Sequence, residues 1–91
     1  MKSIRVFAFS GGEEIGTIGL EEGKMKYHIK DRAMEDKIRT IAEKPLSYLK
    51  DEEIEHGTKT IRATASPGTE EHLRVLLFEL RKIGLEGRIN N

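Results

Sequence analysis

The residues best suited to binding chemistry are Arg5, Phe7 and Phe9 on one short segment and Lys24, Lys26, His28 and Lys30 on another. Successive positions in each set differ by two, and a β-strand places residues i and i+2 on one face. Aromatic rings beside basic side chains on an exposed strand face can stack bases while the cations follow phosphates. The lysine row repeats every roughly 6.6 Å, which is comparable to phosphate spacing along an extended single strand. Edge strands use lysines in the same pattern to discourage unwanted pairing. Phe7, Phe9 and Ile15 counted onto this face also form an apolar patch of the kind that a second subunit covers.

Arg5-Val6-Phe7-Ala8-Phe9 resembles, in part, the RNP1 strand of RNA-recognition motifs, where aromatics on a sheet stack bases. The resemblance covers five residues, with Val6 where that family has glycine, a place on the first strand, and no following aromatic. It implies a shared stacking logic and no family membership. The remaining candidates have simpler explanations. Glu53 and His56 have a Glu-x-x-His spacing, but a di-iron site needs a second such motif, and the run Asp51 to His56 reads as a solvated charge cluster. Ser10-Gly11-Gly12 and Ser66-Pro67-Gly68-Thr69 could present backbone N–H groups to an anion, yet each is followed by two glutamates that would repel it. No serine has a histidine and an orienting acid in a recognisable pattern. The sequence therefore offers no catalytic residue, metal site or cofactor site, and the expectation is a protein that is not an enzyme.

Composition narrows the class further. Ninety-one residues suit a single domain over 1–91, with 36% hydrophobic and 35% charged residues. Sixteen basic and sixteen acidic side chains cancel, so any attraction to nucleic acid must come from a local patch. Cysteine is absent, which removes disulfides, thiolate nucleophiles and zinc ribbons. Glutamine is absent too and asparagine occurs only at 90 and 91, a thermophile-like composition rich in Glu, Lys and Arg. No apolar run reaches the ~18 residues of a membrane span, and the N-terminal residues do not form a signal-like segment. The expectation is a cytoplasmic protein with no membrane partner.

The positioning elements follow from periodicity. Residues 4–9, 15–20 and 25–29 read as three strands joined by glycine-containing turns. Ile4, Val6, Ala8, Ile18, Leu20, Met25, Tyr27 and Ile29 fall on one face, with Leu20 opposite Met25 and Ile18 opposite Tyr27. Asp31 caps a helix over 32–43 with Met34, Ile38 and Ile41 on one stripe, ended by Pro45. Residues 45–57 read as an irregular connection, and 58–65 as a fourth strand with Thr60, Arg62 and Thr64 on the face away from the core. A last helix begins with either Ser66 or Thr69 as its cap, buries Leu73, Leu76, Leu77, Leu80 and Ile83, and ends at Gly84.

The predicted fold is α+β, a two-layer sandwich in the order β-β-β-α-β-α, with a four-stranded, mainly antiparallel sheet and two helices on one face. The predicted function is a small non-catalytic interaction module that self-associates as a homodimer through the outer sheet face, or binds an unidentified protein. The alternative is single-stranded nucleic acid, chiefly RNA, on that basic and aromatic face. Arg5, Phe7, Phe9, Ile15, Lys26, His28, Lys30 and Arg62 are the residues expected to contact the partner.

Overall fold

The computed structural model describes residues 2–90. Three strands come first: β1 (Lys2–Ala8), β2 (Glu14–Glu21) and β3 (Lys24–Ile29). Helix α1 (Arg32–Ala42) follows, then β4 (Leu46–Ile54), β5 (Gly57–Ala65), helix α2 (Glu70–Arg81) and β6 (Leu85–Asn90). The chain thus has the expected α+β architecture of a four-stranded antiparallel sheet, in the order β3-β2-β1-β6, with two helices. No helix among the described residues is long and apolar enough to cross a membrane.

Alternation sorts the first three strands as expected everywhere but at Ile15. Leu20 pairs with Met25, Ile18 with Tyr27 and Ile4 with Ile18. Ile4, Val6 and Ile18 are fully buried, while Lys24, Lys26 and His28 point outward. Both helices are capped by side chains that satisfy an otherwise orphan N–H: Asp31 accepts from the Ala33 N–H at 3.1 Å and Thr69 from the His72 N–H at 3.2 Å. Thr69, and not Ser66, is therefore the cap of α2.

Two assignments change. The fourth strand of the sheet is β6, which pairs antiparallel with β1, and the segment 58–65 belongs to a separate two-stranded hairpin with 46–54. Residues 45–57, read as irregular, are mostly strand because β4 pairs along its whole length with β5, from Leu46 opposite Ala65 to Ile54 opposite Gly57. Backbone pairing holds these residues extended without the alternating burial that marks a strand in sequence.

Helix α2 sets the layers. Leu73, Leu76 and Leu80 are fully or almost fully buried and join Ile4, Val6, Ile18, Ile38 and Ala42 in one cluster. The helix lies so close to β6 that a Cβ on Gly87 would stand 2.6 Å from Leu77 Cδ2 and 2.8 Å from Ile4 Cγ2. At the other end of α2, buried His72 donates Nε2–H to the Lys44 carbonyl oxygen at 2.7 Å, since a carbonyl can only accept. This bond ties the start of the hairpin to the helix. Tyr27, at the edge of the core, lies under the Arg39 guanidinium at 4.4 Å, and Glu35 and Glu43 each hold that guanidinium at 3.1 Å. Its hydroxyl is buried without a hydrogen-bond partner, and burial pushes its pKa above the usual phenol value.

Leu76→Ala is expected to destabilise the fold by about 2–5 kcal/mol, the range for a buried leucine, as measured by denaturant unfolding; a loss below about 0.5 kcal/mol would contradict the placement of α2. Tyr27→Phe removes an unsatisfied hydroxyl and should leave the melting temperature unchanged or raised. A phenol pKa raised by folding means stability is present below the unfolded value and falls as pH rises through the folded one. The Phe variant should therefore lose less stability than wild type above about pH 10.

Candidate interaction surface

The outer sheet face is built on Phe7. Cross-strand pairing sets Arg88, Arg5, Thr17 and His28 in one row, with Glu86, Phe7 and Glu14 in the next. Arg5 and Arg88 are direct neighbours, and like charges so placed repel. The repulsion is offset locally. Arg5 binds the Glu14 carboxylate at 2.7 Å and Arg88 reaches Glu86 at 3.6 Å. Both guanidiniums also lie over the Phe7 ring, at 5.3 and 4.7 Å from its centroid. The hydrogen bond from Arg5 holds the Glu14 carboxyl below the usual glutamate range, and the same contact raises Arg5.

The residues expected to share this face are only partly brought together. Arg5, Phe7, Lys26 and His28 do share it. Lys30 lies just past β3, where its ammonium donates to the Glu14 carbonyl oxygen at 3.4 Å. Phe9 lies beyond the end of β1, in the turn toward β2, and is 55% exposed.

Ile15 is a correction. Pairing between β1 and β2 slips between Val6 and Phe7, so Val6 faces Gly16 and Phe7 faces Glu14. Ile15 is the extra residue of this bulge and packs against the core cluster instead of standing on the outer face. Gly16 beside it has φ +152, and a Cβ there would collide with the His28 carbonyl oxygen, so the slip is bound to a glycine. Arg62 is the second correction. It lies on β5, outside the four-stranded sheet, and donates from Nη1 to Ser47 Oγ at 2.9 Å across the hairpin.

That hairpin is the other surface, and sequence reasoning missed it. One side carries Leu46, Tyr48, Lys50, Glu52 and Ile54 opposite Ala65, Ala63, Ile61, Lys59 and Gly57. Leu46 and Ala65 are buried at its base, Tyr48, Ala63 and Ile61 are half-buried, and Ile54 near the tip is exposed. The other side, from Ser47 and Thr64 outward, is exposed throughout. The β4–β5 hairpin is thus an arm covered only near its base. Where the arm meets α2, Tyr48, Leu49, Val75 and Phe78 line a groove of about 490 Å³ that Glu71, Arg74 and Glu79 border. Leu49 and Phe78 are 64% and 67% exposed. Partial burial, aided by the nearby Glu71 carboxylate, raises the Tyr48 pKa.

Among the described residues, no group of three or more His, Asp or Glu side chains is arranged to hold a metal ion. No protein-family model, curated protein or solved structure matches this chain.

The bulge makes a ranking that unfolding can check. Ile15→Asp is expected to lower stability by about 2 kcal/mol or more, because it puts a carboxylate against the core. Phe9→Asp should stay within about 0.5 kcal/mol of wild type. The reverse order would contradict the inward placement of Ile15.

Proposed function

We propose that this protein is a non-catalytic interaction module that self-associates. The observation that carries the reading is the arm, which extends from the body with little covering its outer half. The radius of gyration is 14.4 Å, against about 12 Å for a compact chain of this length. The accessible surface is 6221 Å², against about 5,400 Å² for a compact monomer of this mass. The excess of roughly 800 Å² is close to what one partner contributes to a standard protein–protein interface. Leu49, Ile54 and Phe78, all on the arm or beside its base, are among the large apolar side chains left in solvent.

The outer sheet face is less suited to the same use than its sequence implies. Ile15 has turned inward, and two guanidiniums and their carboxylate partners occupy the surroundings of Phe7. One observation favours a second reading on that face, single-stranded nucleic acid: the row Arg88, Arg5, Thr17 and His28 runs beside an aromatic ring and the exposed Lys26. Stacking a base on Phe7 would have to displace one of its two arginines.

Sedimentation equilibrium across a concentration range tests the leading reading. A dimer is expected in the micromolar range, and a monomer persisting to about 1 mM would refute self-association. A titration with mixed short RNA and DNA oligonucleotides at two salt concentrations tests the second. Real binding must weaken steeply with salt and weaken further in Phe7→Ala, whereas no binding at about 100 μM in low salt excludes it.

A further inference from the structure

We infer that the free edge of β5 pairs antiparallel with β5 of a second copy of this chain, about a two-fold axis through Ile61. The inference rests on the self-association proposed above and names the surface and the register that would carry it. Among the described residues β5 is bonded to β4 on one side and to no strand on the other. An unpaired edge of nine residues is a template for another strand.

The two edges of the arm differ in what they permit. β4 has Lys50 as its middle residue, so a second β4 paired in a centred antiparallel register would set lysine against lysine, and a register shifted to centre on Glu52 would set Asp51 against Glu53. β5 reads Gly-Thr-Lys-Thr-Ile-Arg-Ala-Thr-Ala, without one acidic residue and with three threonines and an isoleucine suited to extended structure. Ile61 is the middle residue of this strand. Antiparallel pairing centred there aligns all nine residues with their counterparts, and no like charges stand directly opposite. Lys59 faces the second copy's Ala63, and Arg62 faces the second copy's Thr60. Ile61 meets its own counterpart.

The neighbouring strands fit the same register. Asp51 lies opposite Thr60 and accepts its hydroxyl at 3.0 Å, so the second copy's Arg62 would stand in the same cross-strand row as this carboxylate. Lys50 lies opposite Ile61, which keeps the two lysines of the dimer apart by the width of both isoleucines. The product is a four-stranded sheet, β4-β5-β5-β4. Its symmetry is closed, so assembly stops at two copies. Pairing would also support the arm, because an isolated two-stranded hairpin is marginal in water.

The cysteine-free sequence gives a direct test. Ile61→Cys places two thiols across the axis within disulfide reach and should form a covalent dimer on mild oxidation, whereas Ile54→Cys near the tip should not. Ile61→Lys sets like charges face to face and should weaken the dimer by about 100-fold or more in sedimentation equilibrium. A wild-type monomer at all concentrations would remove self-association and this interface together. A wild-type dimer that survives Ile61→Lys, with no covalent dimer from Ile61→Cys, would overturn the β5 interface alone and leave self-association through the groove or the outer sheet face. If the lysine variant does not fold, the cysteine pair decides the matter alone.

Discussion

The burial of α2 on several sides at once is the constraint on which the rest of the structure depends. Its leucines meet the sheet near Gly87, where the lack of a side chain lets Leu77 and Leu80 approach Ile4. Ile38 and Ala42 of α1 join the same cluster, with Met34 and Ile41 packed against it, so α1 is held on the core by its narrow stripe. Near the N-terminus of α2, His72 holds the Lys44 carbonyl, and Val75 borders the groove under β4. The core these contacts make does not reach the outer half of the arm. The apolar supply runs out along the arm, where buried Leu46 and Ala65 give way to half-buried Tyr48, Ala63 and Ile61 and then to exposed Ile54. The exposed arm follows from where the core ends.

Electrostatics shape the two open surfaces differently. On the outer sheet face, Arg5 and Arg88 face each other and are held by Glu14, Glu86 and the Phe7 ring, so that face neutralises itself within one molecule. Such exposed pairs contribute little to stability, since solvent screens them. Their effect is to cover an aromatic that would otherwise be open. On the arm, charge divides by strand: β4 carries Lys50 at its middle and Asp51, Glu52 and Glu53 just beyond it, while β5 has no acidic residue and carries only Lys59 and Arg62. That division distinguishes an edge that repels its own copy from one that does not.

Much of this fold was legible from residue types and spacing, and the failures have definite physical causes. The first three strands show alternation because one face is buried, and the helices show caps and stripes because they pack on that same face. β4 was invisible because Lys50 to Glu53 carry no buried face, and the backbone ladder to β5 leaves no trace in side-chain pattern. β6 was hidden for a different reason: one of its inward positions is Gly87, and the strand begins directly after a helix ending that already accounts for Gly84. The candidate site suffered from the same limits. Counting back by two from Thr17 to Ile15 runs into a bulge, which puts Ile15 on the wrong face, and assigning 58–65 to the main sheet carries Arg62 with it. Arg5 and Phe7 share the outer face with Lys26 and His28 because alternation along β1 and along β3 is unbroken, the extra residue of the bulge lying on β2.

Amide hydrogen exchange along β5 tests the central claim most directly, because it reads the backbone edge itself. If two arms pair, outward N–H groups between Thr58 and Thr64 exchange at least about tenfold more slowly in concentrated than in dilute solution, while those of β1 and β2 exchange alike in both. Equal and rapid exchange of the β5 edge at every concentration, in a sample shown to be dimeric, would contradict the account.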